Sequence, residues 1–254
     1  MVSDPAAPLV LLHGLLGDAD DWRPVIQALP GVPCHALDLP GHGRNRALRV
    51  SGFDEAHRWL CDELVARDIA HYRLVGYSLG GRLALHHASH SPAGLQALLL
   101  ENCHPGLPAG ERPARIAHDE AWARRFECEP LTRVLADWYR QGVFADLDDD
   151  ARTRQAARRL GNDGKAVAAM LRATSLGRQP DLAPWLRDTR LPVQWISGNR
   201  DHKFHALACQ LVKQGCNIKH LALDGGHNLH TSQPDTFARL LREWAHQPEE
   251  KIHD

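Results

Sequence analysis

Val75-Gly76-Tyr77-Ser78-Leu79-Gly80-Gly81-Arg82 joins an apolar run of strand length, residues 72–77, to a segment of helical period, residues 79–90. Ser78 stands in the turn between them. A strand that passes into a helix without a linker makes a turn so tight that the serine takes a strained backbone conformation. Glycines two residues to either side let strand and helix approach each other. The G-x-S-x-G form in that setting predicts a nucleophile elbow, which pushes the serine hydroxyl out at the carboxyl edge of a parallel sheet.

Outward from this turn, apolar runs at residues 8–13, 33–39, 95–101, 192–197 and 218–223 alternate with helical patterns at 21–29, 53–66, 205–213 and 234–244. That alternation predicts an α/β fold with a mostly parallel central sheet and helices on both faces. Between residues 104 and 185 the rhythm breaks into Arg-rich, helix-like sequence with no convincing strand. An all-helical segment between two sheet strands predicts a lid, so residues 1–103 and 186–254 form the expected core and 104–185 the inserted cap. Within the cap, Asp148-Asp149-Asp150 reads as a helix start, where carboxylates complement the helix dipole.

The chain has 254 residues, which suits one large α/β domain with an insertion. Thirty Lys and Arg balance thirty-one Asp and Glu to a formal net charge of -1, and both signs are scattered along the length. No field of one sign is available to concentrate nucleic acid or an anionic membrane. Residues 8–16 are apolar but interrupted by His13 and Gly14 and preceded by Asp4. They read as a buried first strand rather than a signal peptide, and no other run is long enough to cross a bilayer. The six cysteines show no C-x-x-C pairing and no short disulfide framework, which fits a reducing compartment, the cytoplasm.

An elbow serine needs a base, an acid to orient it, and donors for developing charge. His13-Gly14-Leu15-Leu16-Gly17 follows the first strand, where this architecture supplies one oxyanion-hole amide while the residue after the nucleophile supplies the other. Leu15 and Leu79 are the expected donors, each worth about 3–4 kcal/mol; His13 itself reads as a structural histidine bonding nearby backbone. The chain order serine, acid, histidine then selects Asp201 after the strand at 192–197, and His227 in Gly225-Gly226-His227-Asn228. Asp224 and Asp188 compete for the acid, but Asp224 lies too close to His227 in sequence and Asp188 precedes its strand. His230 could pair with His227 on a metal, yet no third ligand or H-E-x-x-H helix accompanies them, so no metal is expected.

With Asp38-Leu39-Pro40-Gly41-His42-Gly43, the elbow and Gly225-Gly226-His227, the chain resembles the α/β-hydrolase superfamily. Stretches in and around the cap are more specific: His104-Pro105-Gly106-Leu107, residues 122–126, Ala136-Asp137-Trp138-Tyr139, residues 170–176, Gln179-Pro180-Asp181-Leu182 and residues 201–204. These resemble the 2-succinyl-6-hydroxy-2,4-cyclohexadiene-1-carboxylate synthases of menaquinone biosynthesis, over nearly the whole chain. The resemblance implies a lyase that eliminates pyruvate from 2-succinyl-5-enolpyruvyl-6-hydroxy-3-cyclohexene-1-carboxylate, with the triad as base and no cofactor. It also implies that Arg82, Arg115 and Arg159 hold substrate carboxylates, beside Tyr77 and Trp138. Guanidinium binds carboxylate bidentately and stays charged, which suits a small polycarboxylate ligand.

One departure concerns Asn102-Cys103, where the family usually has Gly-Gly before His104; Cys103 reads as a small buried apolar residue. A carboxylesterase or thioesterase using Ser78 for acyl transfer is the rival, and a catalytically silent binding protein on the same fold a more distant one. A cationic cleft argues against an esterase for neutral substrates, which would gain nothing from desolvating it. A monomer or small homo-oligomer is expected.

Overall fold

The computed structural model describes residues 7–246; residues 1–6 and 247–254, which include Asp4 and the ends of the expected core segments, lie outside the described residues. Six strands form one sheet: β1 (Leu9–Leu12), β2 (Cys34–Leu37), β3 (Tyr72–Tyr77), β4 (Leu95–Glu101), β5 (Val193–Gly198) and β6 (Lys219–Leu223). Their spatial order is β2-β1-β3-β4-β5-β6, and every pairing is parallel. The sheet is thus wholly parallel among the described residues. The helices are α1 (Arg23–Gln27), α2 (Phe53–Val65), α3 (Leu79–Ser89), α4 (Arg112–Cys128), α5 (Leu131–Trp138), α6 (Asp149–Arg158), α7 (Gly164–Ala173), α8 (Ala183–Asp188), α9 (His202–Lys213), α10 (Leu229–Ser232) and α11 (Pro234–Ala245).

The inner strands are apolar on both faces because both faces are covered there. Val10, Leu12, Leu74, Leu98 and Leu100 join Phe53, Leu60, Leu83 and Leu211 in one core. Their alternate neighbours Leu9, Leu11, Val75, Ala97 and Leu99 join Trp22, Val25, Phe237 and Leu241 in the other. This period-two division follows from the pleat.

Three elements differ from the sequence expectation. The helix expected at 21–29 opens as a 3-10 turn, Ala19–Trp22, capped by the Asp18 side chain, and becomes α-helical only at Arg23, ahead of Pro24. α9 begins at His202 rather than 205, because the Asp201 carboxylate accepts the Phe204 amide at 3.3 Å and caps it. The short α10 was not anticipated.

Between β4 and β5 the described chain forms α4 to α8 and no strand. Ala123, Phe126, Val134, Leu135, Val167 and Leu171 give this insertion a core of its own, shared with Leu16 from the loop after β1. Leu186 of α8 packs instead in the sheet core beside Leu98 and Trp195. The aspartate run starts α6 as expected, with Asp148 accepting the Ala151 amide at 2.7 Å. No helix among the described residues is long and apolar enough to cross a membrane.

Candidate active site

β3 delivers Ser78 at φ 49° and ψ -109°, a left-handed strained conformation for a residue with a side chain. The turn is held by the Ser78 amide, which donates to Glu101 O at 2.9 Å, and by the Gly80 amide, which donates to His13 O at 3.1 Å. A Cβ on Gly76 would stand 2.6 Å from Gly80 O, and one on Gly80 would collide with the His13 and Leu12 carbonyls. Glycine at both positions is therefore a steric requirement of the elbow.

His227 Nδ1 lies 2.5 Å from Asp201 Oδ2 and its Nε2 lies 3.3 Å from Ser78 Oγ; Asp201 and His227 are both buried. A carboxylate can only accept, so Nδ1 carries the proton and Nε2 presents its lone pair to the Ser78 hydroxyl. Asp224 is exposed and faces Arg200 at 3.6 Å, and Asp188 ends α8 beside the pocket formed by Trp185 and Leu95. Of the three aspartates only Asp201 meets His227. The rings of Phe204, Tyr77 and Phe144 surround the imidazole at centroid distances of 4.8, 5.3 and 5.8 Å.

The amides of Leu15 and Leu79 have no acceptor among the described residues. Leu79 is the first residue of α3, whose dipole adds to its donor strength. The loop carrying Leu15 is fastened by two histidines. His13 Nε2 accepts the Leu39 amide at 3.0 Å while Nδ1 donates to Gly14 O at 2.7 Å. His42 Nε2 accepts the Leu16 amide at 3.1 Å while Nδ1 donates to Pro40 O at 3.0 Å. His13 is thus structural, as its position implied.

The expected arginines divide. Arg82 lies one turn beyond Ser78, with its amide donating to Ser78 O at 3.0 Å. Its guanidinium donates to Thr174 O at 2.7 Å, sits over the Phe53 ring at 5.7 Å, and has no carboxylate in ion-pair range among the described residues. Burial, reinforced by neighbouring Arg115, pulls its pKa down to about 10. Arg115 is aimed by Asp119 at 2.8 Å, and Asp119 is itself held by Ser175 Oγ at 2.7 Å. Lys203 and His104 face the same cations: burial and then Arg115 lower Lys203, while burial and then Lys203 pull His104 to about 3.

Arg159 does not join this group. It forms a buried bidentate pair with Asp21, at 2.9 and 2.8 Å, that links the end of α6 to the turn before α1. Burial would raise the Asp21 pKa, but the Arg159 guanidinium overrides it and holds the carboxyl below its ordinary range. A carboxylate bound at Arg159 would have to displace Asp21 or share the guanidinium with it. Trp138 packs on Trp122 and Phe126 at 5.0 and 5.4 Å, within the insertion.

Several site residues had no local sequence signal. Glu101 is fully buried and accepts the Leu229 and His230 amides at 2.6 and 3.2 Å and His230 Nδ1 at 2.7 Å, anchoring α10 directly after His227. This occupies Nδ1 of His230, while its buried Nε2 has no partner among the described residues. Asn102, whose mismatch with the family pattern was the one available clue, donates to His227 O at 2.7 Å and accepts the Gly198 amide at 3.3 Å. Cys103 is buried with its thiol pushed far up by burial, and all six cysteines are free.

The sheet order, the elbow and the Ser78–His227–Asp201 contact define the class. The chain belongs to the alpha/beta hydrolase family, whose sequence profile matches residues 9–240. Among its relatives, 2-succinyl-6-hydroxy-2,4-cyclohexadiene-1-carboxylate synthase of Yersinia enterocolitica is 47% identical over 235 residues, 92% of this chain and 84% of that one. The Pectobacterium atrosepticum protein of the same name is 45% identical over 242 residues, 94% of each chain. Within the larger class, then, the chain falls in the family of these synthases. The solved structure of MenH from S. aureus matches at a TM-score of 0.86 and 26% identity, covering 96% of this chain and 94% of that one. A thermophilic esterase from Thermogutta terrifontis shares the fold at a TM-score of 0.72 and 19% identity, covering 93% and 88%.

Proposed function

We propose that this chain is a 2-succinyl-6-hydroxy-2,4-cyclohexadiene-1-carboxylate synthase, a lyase of menaquinone biosynthesis that releases pyruvate from 2-succinyl-5-enolpyruvyl-6-hydroxy-3-cyclohexene-1-carboxylate. The observation that carries this reading is the Arg82 guanidinium beside Arg115, one turn from Ser78 and with no carboxylate in ion-pair range among the described residues. Keeping a cation half-buried without a counter-ion costs desolvation energy that an anionic ligand recovers and a neutral ester does not.

Asp201 orients His227, which takes the Ser78 hydroxyl proton; the Ser78 oxygen then removes the proton from the ring carbon beside an electron-withdrawing carbonyl. The electron pair moves through the ring and expels enolpyruvate, which picks up a proton and becomes pyruvate. Leu15 and Leu79 amides bind the oxygen on which charge collects. Arg82 and Arg115 hold carboxylates so that the C–H bond faces the base. Helices α4 to α7 act as a lid over this cleft. Arg159 supports it from behind through Asp21, and Trp138 lends an aromatic wall.

Incubation with the enolpyruvyl compound, with pyruvate read by a coupled dehydrogenase and intact-protein mass recorded after rapid quench, tests the proposal. Equal yields of pyruvate and diene with no adduct on Ser78 are expected, and Ser78→Ala, Asp201→Ala and His227→Ala each remove most turnover. Arg115→Ala weakens turnover of the tricarboxylate by roughly 1.5–3 kcal/mol while sparing a small neutral ester. A Ser78 adduct of this compound without pyruvate would instead establish an acyl-transfer esterase.

A further inference from the structure

Away from the site, the α2–α3 interface gathers nitrogen and sulfur donors that the elimination does not use. His57 and Cys61 lie one turn apart on α2 and face α3, with Cys61 Sγ 3.8 Å from His57 Nε2. His87 of α3 points back, its Nδ1 2.9 Å from His57 Nδ1. Each of the three side chains offers a ligand atom within 4.8 Å of the others. Two imidazoles and a thiolate form the donor set of a tetrahedral zinc-type site, whose ligand atoms stand about 3.3–3.6 Å apart. Small side-chain rotations span the difference.

A second feature supports ligation. Tyr72 Oη lies 2.6 Å from His87 Nε2, the nitrogen that would point away from the ion. A ligating histidine needs such an outer partner to fix its tautomer and ring orientation. The neighbouring set Asp54, His86 and His90 also brings three donor atoms together, but it lacks that support. His86 Nε2 is turned to Asp54, and its Nδ1 is buried with no partner among the described residues. Ligation through Nε2 would leave a buried Nδ1–H without an acceptor, at a desolvation cost.

We propose that His57, Cys61 and His87 bind one zinc-class divalent ion, with a fourth position left to water. Binding displaces the Cys61 thiol proton to solvent. The His87 proton then resides on Nε2 and is donated to Tyr72 Oη, so the charge and hydrogen count balance. The ion clamps α2 to α3, the helix that begins at Leu79 and carries Arg82, and acts as a stabilising tie rather than a reactant.

The full chain, stripped of metal with a chelator, is titrated with Zn2+ by calorimetry and with Co2+ by absorption spectroscopy. One ion per chain is expected, with a thiolate-to-cobalt charge-transfer band and a zinc-dependent rise in Tm. Cys61→Ser abolishes the band and weakens Zn2+ by more than about tenfold, and Tyr72→Phe weakens it roughly 10–100-fold. Asp54→Asn and His90→Ala leave binding unchanged. Circular dichroism confirms that each variant is folded. Unchanged Zn2+ affinity in Cys61→Ser overturns the proposal, as does the absence of stoichiometric binding, or loss in His90→Ala with Cys61→Ser intact.

Discussion

Asn102 occupies a left-handed position, φ 42°, which asparagine tolerates better than most residues, and it uses its side chain to join two loops. One amide hydrogen reaches His227 O, and the side-chain oxygen takes the Gly198 amide three residues before Asp201. The same side chain therefore sets the relative height of base and acid. Glycine fits the backbone angle but makes neither bond. In Asn102→Gly the expected result is a fall in kcat of about tenfold, near 1.4 kcal/mol, with KM and fold little changed. Steady-state kinetics beside a thermal melt checks this, and an unaltered kcat would reduce Asn102 to a loop filler. Asn102 is thus a second support for the base beside Asp201.

At the scale of elements, the insertion is fastened to the core by the Asp21–Arg159 pair, both side chains only 5% exposed. Removing one partner of a buried pair strands the other charge, so Asp21→Asn is expected to destabilise by about 3–5 kcal/mol. That lowers Tm by roughly 10 °C in a chain of this size. Differential scanning fluorimetry reads the shift, and a change within a degree or two would mean that Arg159 is hydrated or re-paired. The contrast with the elbow shows which parts were legible in the sequence. β3, Ser78 and α3 are consecutive, so glycine spacing and hydrophobic period expose them, and Asp201 and His227 follow from chain order. Asp21 and Arg159 are 138 residues apart, and nothing local distinguishes Arg159 from the other lid arginines. α10 is only four residues long and owes its start to Glu101, 128 residues earlier. Short elements pinned by distant side chains have no periodicity to read.

Across the whole molecule, seventeen histidines against a net charge of -1 make the response to acid a matter of which imidazoles are buried. His42 resists protonation, because its Nε2 accepts the Leu16 amide, and an added proton would face that N–H across a closed core. Burial pulls His42 to about 3, and His13, fully buried with its Nε2 on the Leu39 amide, is lowered by burial as well. In both, the folded-state pKa lies below the unfolded value, so the unfolded chain binds more protons between them. Stability is therefore full above about pH 6.5 and is lost as pH falls below it, at about 1.4 kcal/mol per pH unit for His42 down to about pH 3, with a further loss in the same direction from His13. Urea unfolding between pH 7 and 4.5 is expected to show this loss, about 2 kcal/mol from His42 alone by pH 5. His42→Gln offers an amide oxygen to Leu16 without a titrating group, and should flatten the slope by one histidine's share. A profile equally steep in the variant would assign the acid sensitivity elsewhere. Because Leu16 adjoins Leu15, turnover is expected to fall in the same pH window before the chain unfolds, as the donor amide drifts from the oxygen it stabilises.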